Sequence, residues 1–208
     1  MTSRGKFITL EGIEGVGKST HCAFLRDRLL ESGLTVVTTR EPGGTRLGEA
    51  VRGILLDPAL PAMTPLTELL LMFAARAEHL ATVIEPALTR GDWVLCDRFT
   101  DATYAYQGGG RALDMAVIAQ LEGLVQQGLR PDYTLLFDAP VPIALARAKS
   151  RSASDRFEAE VSEFFVKVQA VYRERAAREP LRFVSIDAAQ TLPEVEDALR
   201  GWVRKLAL

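Results

Sequence analysis

Cysteine and histidine are scarce in this chain of 208 residues: it has only Cys22, Cys96, His21 and His79. Each cysteine falls in an apolar pattern, and their spacing fits no zinc or redox motif. Both therefore read as reduced core thiols of a reducing compartment. The histidines have no companions with which to hold a metal. No run of about 18 apolar residues occurs, which argues against a membrane-spanning helix. Met1–Lys6 lacks the apolar stretch of a secretory leader, so a cytoplasmic protein is expected. The net charge of −2 leaves no positive excess to grip a nucleic-acid backbone. A small anion needs only a local cluster of positive charge and stays open. Repeats and low-complexity linkers are also missing. The length, with 48% apolar residues, suits one domain over 1–208 with a sizeable core.

What is present alternates. Short apolar runs read as strands at Phe7–Glu11, Leu34–Thr39, Trp93–Cys96, Tyr133–Phe137 and Arg182–Ile186. Helical patterns read over Lys18–Ser32, Gly48–Leu56, Pro65–Thr89 with a break near Pro86, Asp114–Gln127, Pro142–Ser150, Glu160–Arg178 and Pro193–Leu206. Continuous apolar strands separated by helices predict an α/β fold, a five-stranded parallel sheet flanked by helices. Ligands of such sheets bind beyond the carboxyl ends of the strands.

The strongest local signal follows the first strand. Gly12-Ile13-Glu14-Gly15-Val16-Gly17-Lys18-Ser19, continued by Thr20, fits G-x-x-x-x-G-K-[ST] at every fixed position. Its glycines let backbone N–H groups turn inward around phosphates, and the following helix adds partial positive charge. Lys18 is expected at the β- and γ-phosphates of ATP and the Ser19 hydroxyl at Mg²⁺. The fold expected is thus that of a P-loop NTPase. The motif alone does not choose among switches, motors and small-molecule kinases.

Further clusters follow other strands. Thr39-Arg40-Glu41-Pro42-Gly43-Gly44-Thr45 sets two charges beside a Pro-Gly turn. Asp97 is placed like a Walker B carboxylate near the metal, and Arg98 suits bidentate binding of a phosphate. Thr103, Tyr106 and Gln107 share a helix face, which suits a flat polar base. Gly108–Gly110 suggest a bend or a mobile segment. Phe73 and Arg76 are i,i+3 neighbours that could hold a pyrimidine, although periodicity alone makes Phe73 a core residue.

In this order the motifs closely resemble the thymidylate (dTMP) kinase family: E-G-x-E-G-x-G-K-S-T, T-R-E-P-G-G-T, F-A-A-R, D-R-F, A-Y-Q-G-G-G-R, P-D-Y-T-L-L-F-D and D-R-F-E. The resemblance covers nearly the whole chain. It implies transfer of a phosphoryl group from ATP to dTMP, with Mg²⁺, by a homodimer built on the Pro65–Thr89 and Asp114–Gln127 helices. It implies Glu14 near the sugar 3′-hydroxyl and Arg98 on the 5′-phosphate, with Glu41 and Arg52 supporting. Arg76, Thr103 and Gln107 resemble the groups that read the thymine edge, and Tyr106 the ring that excludes a ribose 2′-hydroxyl. Phe73 resembles the stacking ring. Many relatives, however, space that ring four residues from the Arg, where this chain has Met72, so either side chain could cover the base. Ala102 stands where the family often has Ser.

The basic stretch Arg147, Lys149, Arg151, Arg156 reads in such an enzyme as a short mobile lid over 147–158. Because the P-loop has no arginine, the resemblance is to members whose catalytic arginines sit in the lid, here Arg151 and Arg156. A deoxynucleoside kinase would not need Arg98 for a phosphate, and a GTPase switch would carry N-K-x-D, which is absent.

Overall fold

A computed structural model describes residues 4–149, 156–157 and 160–206. Five strands, β1 (Phe7–Glu11), β2 (Val36–Arg40), β3 (Trp93–Asp97), β4 (Tyr133–Asp138) and β5 (Phe183–Asp187), form one sheet in the order β2-β3-β1-β4-β5. Every pairing is parallel. The five expected strands are all present, with ends moved by one or two residues. β1 is buried along its whole length, as a central strand covered on both faces must be. Thr9 is tolerated there because its hydroxyl pairs with that of Thr134 on β4 at 3.0 Å.

Helices flank the sheet: α1 (Lys18–Glu31), α2 (Arg46–Leu56), α3 (Pro65–His79), α4 (Glu85–Arg90), α5 (Thr100–Thr103), α6 (Met115–Gln126), α7 (Val141–Lys149), α8 (Ser162–Arg178) and α9 (Leu192–Lys205). From β1 the chain passes to β2 and β3 on one side and later to β4 and β5 on the other. The reversal opens a crevice beyond the carboxyl end of β1, where the P-loop lies.

The expected break near Pro86 takes another form. Leu80–Ile84 is a π-helical turn joining α3 to α4. Pro86 has no N–H to donate to Thr82, and the wider turn absorbs the missing bond. A second π-helical stretch, Tyr104–Gly110, continues α5. Its glycines are explained by close packing rather than a bend. A Cβ on Gly108 would lie 2.5 Å from Met115 Sδ, one on Gly109 2.7 Å from Val171, and one on Gly110 2.4 Å from the Phe164 ring. Gly110→Ala is therefore expected to destabilise the fold by ~1–3 kcal/mol through overpacking, read as a lower urea midpoint at unchanged m-value.

Candidate active site

The P-loop is shaped by three left-handed glycines, Gly12 (φ 133°), Gly15 (φ 80°) and Gly17 (φ 86°). A side chain at Gly15 would collide with the Ala144 carbonyl at 1.8 Å. Ile13 and Val16 turn into the apolar core and leave only their backbone to the loop. Lys18 Nζ donates to the carbonyls of Gly12 (3.0 Å) and Ile13 (2.9 Å). Burial, and then the charge of Arg98, pull this ammonium down to about 8. Ser19 and Thr20 open α1 and are exposed. Ser19 Oγ lies 3.5 Å from Asp97 Oδ2, while Asp97 Oδ1 is buried without a hydrogen-bond partner. A hydroxyl beside an unsatisfied carboxylate oxygen is a hard-oxygen donor set of the kind Mg²⁺ takes together with phosphates.

Asp97 ends β3, and Arg98 turns out of it in the left-handed region (φ 69°). The parallel ladder runs one residue further, Arg98 N–H donating to Leu10 O. The Arg98 guanidinium donates to Gly12 O (2.9 Å), Tyr172 Oη (3.2 Å) and Glu14 Oε1 (2.8 Å), and stacks on Tyr106. Burial acts to lower its pKa, but Tyr106, Glu14, Tyr172 and Asp97 outweigh it and hold it well above the ordinary value. Glu14 also accepts from the Tyr106 hydroxyl at 2.6 Å. One loop carboxylate thus links the P-loop to the β3 arginine and the α5 extension.

Two cavities meet along this seam. One, about 350 Å³, is polar and lined by Gly15, Gly17, Lys18, Ser19, Arg40 and Asp97, with Glu14, Glu41, Arg52 and Arg98 on its far side. The other shares those last four residues and continues between Met72, Arg76, Thr103, Tyr106, Gln107 and Phe157. Arg76 is buried, donating to Glu41 Oε2 (2.7 Å) and Thr103 Oγ1 (3.0 Å), with Nη1 left unpartnered. Glu41 also meets His79 Nδ1 at 3.0 Å, and His79 Nε2 lies 2.6 Å from Thr39 Oγ1. Arg52 donates to Pro42 O. A phosphate cradle and a flat, partly polar slot therefore face each other across an arginine.

The sequence profile described as Thymidylate kinase matches residues 10–199. The chain belongs to the thymidylate kinase family. A thymidylate kinase of Pseudomonas fluorescens is 58% identical over 202 residues, 97% of this chain and 96% of that one. One from Bordetella petrii is 54% identical over 207 residues, covering 100% and 99%. The crystal structure of thymidylate kinase from Ehrlichia chaffeensis superposes with a TM-score of 0.76 at 33% identity, 99% of each chain being covered.

Most residues expected of a thymidylate kinase site converge on the two cavities. Phe73 does not. Its ring is buried with Leu69, Tyr104 and Ile118 under Arg76, and Met72 is the neighbour that lines the slot. The helical stripe that fills the core takes Phe73, and the pocket face falls one residue earlier. Arg156 is also elsewhere. It donates to Leu55 O at 2.8 Å and to Glu68 at 2.5 Å, behind the slot and not in the lining of the phosphate cavity. Arg147 and Lys149 belong to α7, and Arg147 donates to Ala188 and Ala189 O in the turn after β5. Arg151 and most of the expected lid lie outside the described residues. Among those residues, no helix is long and apolar enough to cross a membrane, and both thiols are free.

Four residues outside the expected set hold this kinase site in shape: Glu11, Glu68, His79 and Tyr172. Glu11 accepts from Phe99 N–H (2.7 Å) and the Tyr172 hydroxyl (2.7 Å) and so fixes the turn that carries Arg98. Burial first, and Asp101 second, push its carboxyl up to about 8. An unfolded chain releases that proton near 4.5, so stability is full below that pH and falls as pH rises through about 8. Glu11→Gln is expected to flatten this slope, raising the urea midpoint at pH 9 relative to wild type but not at pH 5. The sequence signal was available for two of the four: a carboxylate closing the apolar run FITLE, and another inside the apolar helix PLTELLLMF.

Proposed function

We propose that this chain transfers the terminal phosphoryl group of ATP to the 5′-phosphate of dTMP, giving ADP and dTDP. The observation that carries the reading is the shared wall of Glu14, Glu41, Arg52 and Arg98 between the phosphate cradle and the base-sized slot. The family membership points the same way. A dTMP phosphate oxygen forms the new P–O bond to the γ-phosphorus as the bond to the β-phosphate bridging oxygen breaks, and ADP leaves with that electron pair. The attacking oxygen is already an anion at neutral pH, so no general base is needed.

The work left to the protein is positioning and charge compensation. The P-loop amides and Lys18 hold the donor phosphates, and Arg98 holds the acceptor phosphate. Glu14 orients Arg98 and Tyr106 and lies toward the acceptor sugar. Arg76 and Thr103 present donors to the base edge, and Met72 covers its face. Mg²⁺, held by Ser19 and Asp97, would neutralise phosphate charge when bound. A lid arginine is proposed to supply catalytic charge, with Arg151 and Arg156 as the candidates; Arg156 is held by Leu55 O and Glu68 here, and Arg151 lies outside the described residues.

An ADP-release assay with dTMP, dUMP, CMP, AMP and thymidine tests the reading. The greatest acceleration is expected with dTMP, and no acceleration with dTMP would overturn it.

A homodimer is proposed through α3 and α6, where Leu66, Leu70 and Leu124 are exposed. Leu124, 73% exposed, is the apolar side chain on α6 that a partner would cover. Light scattering is expected to give twice the chain mass for wild type and the chain mass for Leu124→Glu.

A further inference from the structure

Glu68 is a carboxylate inside the apolar helix α3, only 1% exposed. It contacts neither cavity. Around it converge Gln107 Nε2 (2.8 Å to Oε1), Arg111 Nε (3.4 Å to Oε1) and Arg156 Nη2 (2.5 Å to Oε2). Burying a charge there requires such a ring of donors. The energetics of the fold do not require that one donor come from a side chain lining the acceptor slot, yet Gln107 does.

This contact decides the orientation of an amide. A carboxylate accepts hydrogen bonds and cannot donate them, whereas a primary amide offers a donor face and an acceptor face. One N–H donated to Glu68 holds the NH₂ end of Gln107 toward α3, so the amide cannot flip and its carbonyl oxygen is the end left for the slot. Arg76 lines the same slot, and its Nη1 is a buried donor without a partner. An acceptor together with a donor matches a ring edge that carries an imide N–H next to a carbonyl. It mismatches cytosine, whose ring nitrogen accepts and whose exocyclic group donates.

We propose that Glu68 is a specificity-positioning residue. By fixing the Gln107 amide it makes the slot select an imide base, thymine or uracil, over cytosine. The same carboxylate, through Arg156, holds the adjoining Phe157 wall of the slot. The inference rests on the reading of that slot as the site of a pyrimidine monophosphate.

Glu68→Gln tests it, because a glutamine at 68 can face Gln107 with either end and so releases the amide. The ratio of kcat/KM for dTMP to that for dCMP is expected to fall at least tenfold. KM for ATP should stay within twofold, and Glu68→Asp, which keeps the acceptor-only character, should retain most of the ratio. An unchanged ratio in a folded Glu68→Gln variant would overturn the proposal. Should that variant not fold, wild-type protein labelled with ¹⁵N-glutamine answers the same question. The Gln107 NH₂ protons are expected to show NOEs to the Glu68 methylenes with and without dTMP, and NOEs that move to the base would overturn it. Wild-type enzyme that does not phosphorylate dTMP at all would instead overturn the parent reading, and the NMR result would still decide the amide's orientation.

Discussion

Arg98→Ala is expected to raise the KM for dTMP by ~10²–10³-fold while leaving the KM for ATP within a few-fold. Two charge-assisted hydrogen bonds from one rigid fork to a phosphate, lost at a half-buried site, correspond to ~3–4 kcal/mol. The guanidinium is held ready by Gly12 O, Tyr172 and Glu14, so little ordering cost falls on substrate binding. Truncation also leaves Glu14 without its cation, which adds repulsion toward an anionic acceptor. Arg98→Lys should recover only part of the loss, since an ammonium keeps the charge and not the fork. The variant also separates neighbouring activities. A nucleoside kinase, whose acceptor has no phosphate, would show little change in acceptor KM.

Lys18→Ala is expected to act on the other substrate and chiefly on kcat, lowering it by ~10²–10³-fold, the cost of removing one preorganised charge from a transition state with charge on its phosphate oxygens. Lys18 also predicts a pH profile. Its ammonium is drawn down to about 8 by burial and by Arg98. The cationic form that meets phosphate is therefore lost as pH rises through that value in the free enzyme. Bound phosphates stabilise the cation. kcat/KM for ATP should thus decline on the alkaline side near pH 8, while kcat holds to higher pH. Steady-state kinetics from pH 6 to 9.5 would read both parameters, and a kcat/KM flat to pH 9.5 would contradict this account of Lys18.

Much of the architecture could be read from short-range signals. Apolar runs alternating with helical periods locate all five strands, most plainly the inner strands β1, β3 and β4, whose middles are buried on both faces, whereas the edge strands β2 and β5 expose polar residues such as Thr38 and Ser185. The P-loop is legible because its spacing is the mechanism itself. The two π-helical stretches were not legible, since a wider turn depends on what packs beside it, such as Phe164 and Val171 against Gly109 and Gly110. The choice between Met72 and Phe73 turned on a rotation of one residue about α3, and only packing against Tyr104 and Ile118 decides that. The sign of Arg156 and its basic neighbours point to a catalytic lid arginine. Its partner is Glu68, 88 residues away, which no local spacing connects. Tyr172 is likewise 161 residues from Glu11, and nothing in α8 marks it as part of the arginine's support.

Transfer requires two nucleotides in the two halves of one cleft at once, with Arg98 on the seam. ³¹P NMR of the purified protein with ATP, MgCl₂ and dTMP observes the consequence directly. The predicted spectrum loses the γ-phosphorus signal of ATP and gains the α- and β-phosphorus signals of dTDP in step with those of ADP. Release of inorganic phosphate at a rate indifferent to dTMP, with no dTDP signals, would contradict it.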